Sequence, residues 1–543
     1  MKISTYFSRA ALLSVLTMVL AFNSVNAQVP TDSIVADFNE FVRLLEETHP
    51  DPYTNYGGRP FFRKAAMETR YGLVEDSVTS PDELARRINE FLAPLSDGHT
   101  YVRGGYGNMM DAKKAFIRFN TMNEGIIWVE ALPAEYENLL GSKLVAIENM
   151  PVQDVVSGLA KIYSAENEVG RRFNLCEDRG FMVDLDKVIT NLREDSITYH
   201  LETPTGQQVS LTLPRLPLSE IRSTPFCRPS HSDQFPNKDL AFDFVDQDKN
   251  TMYLRLHSIM ARDCFEYMRD NGWDYQDQLR RMYWGKDMPS DPDEAIAQLP
   301  SFSEEFEKML LQMKKNGSKN LIIDLRGNSG GFTPISIPTL YQMWGDRYIL
   351  ESSNINTDDY QMVSPLLMKK RNTTLEQVNA EGPMKVEFGD YWFSDREEPI
   401  TKVTPEIRNK FLSWQMSSVK DHLIAQNGKP VYTPEHIYVL TDPGTFSAGF
   451  HYAFFLWKMG ATLVGVPCSQ APNTYMEATP FELPRTGLKG HFSNTLQMFL
   501  PADDPRAKEF TPDLMPTYED YKRYNFDDNT IPMYLMDIIN KKK

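Results

Sequence analysis

The chain has 543 residues, 41% of them hydrophobic, and a formal charge of −17. Single cores usually stop growing at about 250–300 residues, so at least two domains are expected. A surface this acidic repels phosphate backbones, and no basic stripe or zinc-finger spacing offsets it, so nucleic acid is not an expected partner.

In chain order, Lys2 and Arg9, the apolar run from Ala10 to Phe22 and the small-residue site "VNA" read as a secretory signal over 1–27. Its removal takes away two positive charges and no acids, leaving −19. No later run is long enough to span a bilayer, so the expectation is an exported protein, periplasmic or extracellular, with no stable membrane insertion. Four cysteines (Cys176, Cys227, Cys264, Cys468) allow three disulfide pairings, between which the sequence does not choose. Their separation excludes a C-x-x-C metal site, and neither metal nor cofactor is expected.

Residues 28–104 read as helical. "SIVADFNEFVRLLEETHP" carries apolar residues at helical spacing, and "SPDELARRINEFLAPL" repeats the pattern behind Ser80 and Pro81. The part ends in "SDGHTYV", a turn entering a short strand. Residues 105–238 switch to alternating runs such as "GIIWVEAL", "KLVAIEN" and "SITYHLET", a small β-rich middle module with a helix near 151–164. The Pro- and Ser-rich stretch 214–237 reads as a linker.

From 239 to 543, strands alternate with helices, the pattern of an α/β core. "TMYLRLHSI" predicts a strand. An insertion near 263–300 precedes a helix with capping-box spacing at Ser301 and Glu304, an apolar face of Phe302, Phe306, Leu310 and Met313, and a stop at Gly317. "NLIIDL", "HIYVLT" and "ATLVGV" are nearly continuous apolar runs, the type buried on both faces of a parallel sheet. A second insertion covers 333–435.

Three places carry chemistry. "LIIDLRGNSGG" runs from a buried strand into glycines that let backbone amides approach a ligand, although an ordinary tight turn explains the same residues. "TDPGTFSAGF" puts Ser447 where a strand becomes a helix. It is either an N-cap or a nucleophile beside the amide of Ala448 and the positive helix end. Thr445 stands where an α/β-hydrolase elbow has glycine, which disfavours that family. Serine needs a base, and of the nine histidines His99 is singled out by its place on a turn at a strand mouth. His49, His200, His257 and His451 have ordinary structural readings.

"DGHTYV", "NLIIDLRGNSGG" and "YVLTDPGTFSAGF…GATLVGVP" resemble, in order, three hallmarks of the C-terminal processing (tail-specific) serine proteases. That family includes the catalytic part of tricorn protease and the interphotoreceptor retinoid-binding proteins. "TPDLMPT" resembles the Pro-Asp strand that closes its core. The resemblance spans roughly 85–520. It implies a crotonase-like β/α superhelix, Ser447 as nucleophile, and Ala448 with Gly330 or Gly331 as oxyanion-hole donors. Many members use a lysine after the strand that follows the nucleophile helix, but this chain has "VGVPCSQAPNTY" there. Lys489 lies further on and reads as a solvated loop cation. The tricorn-like branch uses a histidine, which His99 matches, though Gly98 stands where that branch can carry serine. Glu509 is implied as the acidic member, with Asp503 and Asp504 as competitors. "GSKLVAIENMPVQDV" resembles part of a PDZ domain without its carboxylate-binding loop, as expected of a diverged β-module.

The resemblance implies an exported serine endopeptidase acting on extended or C-terminal polypeptide segments. Two alternatives are a catalytically silent scaffold binding an apolar ligand or peptide, and an esterase using the same site.

Overall fold

The computed structural model describes residues 28–105, 113–176, 185–354, 358–381, 385–393, 400–413 and 417–541. The expected leader at 1–27 lies outside them. Among the described residues no helix is long and apolar enough to cross a membrane.

The centre is a five-stranded sheet ordered Ala241–Phe244, Thr251–Arg255, Asn320–Asp324, His436–Thr441, Thr462–Gly465. The last four strands are parallel, and the first is an antiparallel edge. All five residues of Asn320–Asp324 are buried because side chains of alternating parity face opposite layers. Leu321 and Ile323 join the core formed with the helices Phe302–Asn316 and Ala448–Lys458. Ile322 joins the core under the C-terminal helix Thr530–Lys541, with Tyr438, Leu440, Val464 and Leu535. The "TPDLMPT" segment extends the sheet by a parallel bridge between Val464 and Leu514.

The helix Phe302–Asn316 buries the expected face, and Gly317 ends it in the left-handed conformation. Its capping box is one-sided. Ser301 Oγ accepts the Glu304 amide, but the Glu304 carboxylate turns to Arg262.

The middle module is an antiparallel sheet ordered Lys113–Ala115, Gln208–Pro217, Ser196–Glu202, Lys143–Ile147, Ile127–Pro133, Arg118–Thr121, with its own apolar core. The 214–237 stretch is not a free linker. It ends one strand, forms the helix Leu218–Ser223, and pairs Phe226–Cys227 with Leu132–Pro133. Ser230 and the Ser232 amide then bind the Asp527 carboxylate. Proline and serine there satisfy edges and side-chain bonds rather than marking disorder.

The N-terminal helices Thr31–Thr48, Arg59–Glu75 and Pro81–Leu92 share a core with a C-terminal hairpin, Asn473–Glu482 and Lys489–Met498. Phe41 stands against both Phe481 and Phe492, which stack on each other at 4.2 Å. Tyr101–Val102 pairs with Gly490–His491 of the hairpin, and Thr100 Oγ1 accepts the Ser493 amide at 2.9 Å. This docking carries the "DGHT" turn some 400 residues along the chain to the C-terminal hairpin. The insertion 333–435 contributes the strand Asp358–Met362 to the same sheet. No disulfide joins Cys227, Cys264 and Cys468.

Candidate active site

Ser447 sits between the strand His436–Thr441 and the helix Ala448–Lys458. Its backbone is at φ 53°, ψ −125°, and its side chain makes no capping hydrogen bond. The bland reading as an N-cap therefore fails. A non-glycine residue held at positive φ is strained, and surrounding bonds must hold it there. They do. Thr445 Oγ1 donates to the Leu325 carbonyl at 2.9 Å, the Phe446 amide to the Asn328 carbonyl at 2.9 Å, and the Ser447 amide to Gln470 Oε1 at 2.5 Å.

The glycine turn lies directly against this serine. A Cβ on Gly330 (φ +111°) would stand 2.6 Å from Ser447 Cβ and 3.0 Å from the Ala448 nitrogen. One on Gly449 would stand 2.7 Å from the Asn328 carbonyl oxygen, which explains glycine two residues after the serine. The two expected glycine amides are not equivalent. Gly330 N–H is already donated to Asn328 Oδ1 at 3.0 Å. The Ala448 amide begins its helix, where no intrahelical acceptor exists, while Gly449 and Phe450 already donate to the Phe446 carbonyl. Ala448 and Gly331 are thus the expected donors whose amides have no acceptor among the described residues.

His99 arrives on the docked turn and stacks on Phe446 at 4.8 Å between ring centroids. Its amide donates to Asp97 Oδ1 at 2.7 Å, and Asp97 Oδ2 is 3.2 Å from His49 Nε2. Its Nδ1 lies 3.9 Å from Glu166 Oε1, and neither ring nitrogen has a hydrogen-bond partner. Glu166 comes from the middle module, where the loop 164–167 reaches back into the site. Ser164 Oγ accepts the Asp97 amide at 2.8 Å, and Glu166 accepts the amides of Gly98 at 3.2 Å and Ala471 at 2.9 Å. A Cβ at position 98 would stand 2.7 Å from Phe446 Cζ and 3.0 Å from Glu166 Oε1, so Phe446 foremost, with Glu166, fills the space where serine was sought.

The electrostatics separate the two carboxyls. Burial, aided by the charge of Asp97, pushes Glu166 up to about 8, so it is neutral at neutral pH. Burial also acts on Asp97, but the hydrogen bond and charge of His49 outweigh it and hold that carboxyl below its ordinary value. Burial lowers His99, against the opposing pull of Asp97 and Glu477. Donor atoms of Asp97, His99 and Glu166 lie within 4.8 Å of one another, close enough to grip a cation.

The structure thus brings together Ser447, Ala448, Gly330, Gly331 and His99. Glu509 is placed differently: its carbonyl accepts from Thr511, and among the described residues no bond or ion pair joins its carboxylate to His99. The Glu509 segment does border the site, since Asn167 Nδ2 donates to the Lys508 carbonyl. Lys489 pairs with Glu482 at the far end of the hairpin. Sequence reasoning missed Glu166, whose segment carries no motif, and Gln470, which lies within the stretch searched for lysine.

A serine held at a strained strand–helix turn beside free amides and a buried imidazole is the arrangement of a serine hydrolase. Residues 294–514 match the family model of peptidase family S41, and that match marks a serine-type peptidase. No curated protein sequence matches it. Among solved structures, mature CPAF complexed with lactacystin is similar with a TM-score of 0.52 at 14% identity, covering 94% of this chain and 97% of that one. Mature CPAF without it gives 0.51 at 14% identity, covering 92% and 96%. The photosystem II D1 C-terminal processing protease gives 0.35 at 12% identity, covering 90% and 94%. The likeness to CPAF shows that the fold is shared over nearly the whole chain.

Proposed function

We propose that the protein is an exported endopeptidase of the tail-specific type that cleaves extended polypeptide through an acyl-enzyme on Ser447. His99 takes the Ser447 proton as Oγ attacks the peptide carbonyl. The Ala448 and Gly331 amides receive the oxyanion. The imidazolium then protonates the leaving amine, and water attacks the ester by the reverse proton path. Glu166 and Asp97 act on His99 rather than on substrate, as positioning residues. The observation that carries this reading is the strained, uncapped Ser447 with Gly330 packed on its Cβ. Export rests on the 1–27 leader pattern, and the preference for chain ends on the three resembling motifs.

The unpaired His99 nitrogens favour a second reading, a silent scaffold of the same fold that binds a peptide or apolar ligand. In ligand-free active sites such bonds are commonly long and tighten with substrate. Turnover of unfolded casein and of a short ester separates the possibilities. The peptidase reading expects casein cleavage that Ser447→Ala abolishes; an esterase turns over only the ester, and a scaffold neither.

The pH dependence has a defined sign. The neutral imidazole is the active base, and burial lowers its pKa, so the acid limb of kcat/KM falls below the ordinary histidine value of about 6.5. More than half of the maximal kcat/KM at pH 6.5, with the midpoint of the decline in more acid buffer, is expected. A limb centred above that value contradicts a buried His99 as base.

A further inference from the structure

Away from Ser447, a cavity of about 540 Å³ opens between the first helix, the helix Pro365–Lys370 and the hairpin. Its walls carry Arg103, Lys369, Lys370 and Lys489 against two acids, Glu40 and Glu482. This is a cationic hollow in a chain of net charge −17. We infer that it is a binding site for an organic carboxylate borne on an apolar stem.

Three observations give that chemistry. First, among the described residues no carboxylate lies within ion-pair reach of Arg103 or Lys369, whereas each acid already has a cation: Glu40 holds Arg43 at 2.6 Å, and Glu482 holds Lys489 at 3.4 Å. The Lys370 pair with Glu477, an acid outside the cavity wall, is weak, so that ammonium group can turn to a ligand. Second, the remaining wall is apolar, formed by Leu44, Leu366, Pro480 and Phe481. A bare inorganic anion would leave that surface wet, and the volume suits an organic molecule. Third, the wall includes His491, whose Nδ1 is buried and whose ring burial and the charges of Arg103 and Lys370 keep neutral. A neutral imidazole between cations gives a carboxylate a hydrogen-bond donor without adding charge.

The site is separate from the catalytic one but adjoins it in the chain. His491 pairs with Tyr101, two residues beyond His99. The inference does not depend on peptidase activity.

Two sources offer this ligand, the end of a peptide and a fatty acid, and calorimetry separates them. Ser447→Ala protein, which cannot turn over a peptide, is titrated at low salt with N-acetyl-Leu-Ala-Leu acid, its C-terminal amide, octanoate and inorganic phosphate. At least one organic acid is expected to bind, the amide about tenfold or more weaker than the peptide acid, and Arg103→Glu or Lys369→Glu to weaken the acid about tenfold. Tighter peptide acid identifies a chain end, and tighter octanoate a fatty acid. Neither acid binding, equal binding of acid and amide with no octanoate binding, tightest binding of phosphate, or unchanged affinity in both charge-reversed variants overturns the inference.

Discussion

His99→Ala protein is expected to lose about three orders of magnitude in kcat/KM on a peptide substrate, while its thermal midpoint stays within a few degrees of the parent. The two halves of this expectation have separate causes. Without an imidazole, the Ser447 hydroxyl keeps the weak nucleophilicity of an ordinary alcohol, because the neighbouring acids cannot replace the base. Glu166 is held neutral by burial, and the Asp97 oxygens are occupied by His49 and the His99 amide. Stability is spared because the buried His99 nitrogens make no hydrogen bonds that the substitution would break. What is lost is the stacking on Phe446. Near-normal kcat/KM in this variant would move the base elsewhere, and unfolding would make His99 a structural residue.

Asp324→Ala is expected to have the largest effect on folding. Asp324 ends the central strand fully buried, with Arg255 at 2.9 Å and Arg326 at 2.7 Å, and it accepts a hydrogen bond from the Tyr253 hydroxyl. Arg326 also donates to the Asp528 carbonyl at 2.6 Å, tying the C-terminal segment to the strand end. Removing the carboxylate leaves two guanidinium groups facing a buried site without their counter-charge, a loss of about 3–5 kcal/mol. Burial alone would raise the Asp324 pKa, but Arg255 and Arg326 hold it far below the ordinary carboxylate range. A carboxyl depressed in the folded state contributes stability that is full above the unfolded value of about 3.9 and is lost as the pH falls below it. Denaturant titration at neutral pH reads the loss. A change under about 1 kcal/mol would mean that the arginines find other partners.

The parts of the fold legible in the sequence were those with local causes. "NLIIDL" and "HIYVLT" announce parallel strands because both their faces are buried, and the helix after Ser301 announces itself by its spacing and its glycine stop. The Ser447 turn was legible for the same reason: strand, turn and helix are contiguous. The failures were long-range. Nothing near Glu166 foretells that its loop crosses from the middle module to accept the Gly98 and Ala471 amides. Gln470 falls where a lysine was sought, yet its role is to hold the Ser447 backbone rather than to move a proton. The glycine turn was legible as a place but not as a donor set, because the Asn328 side chain decides that Gly330 is occupied. The apparent linker at 214–237 misled because its prolines and serines are consumed by contacts with residues as distant as Asp527.

A remote turn, a glycine loop and a helix start converge on the Ser447 hydroxyl, and the proposed peptidase chemistry requires that they make it nucleophilic. Incubating the purified protein with a fluorophosphonate and mapping the adduct by peptide mass spectrometry tests this most directly. The expected result is a single adduct on Ser447, formed rapidly in the parent and far more slowly after His99→Ala. Proteolysis by a preparation in which Ser447 remains unmodified, or an adduct on another residue that alone abolishes turnover, would contradict the account.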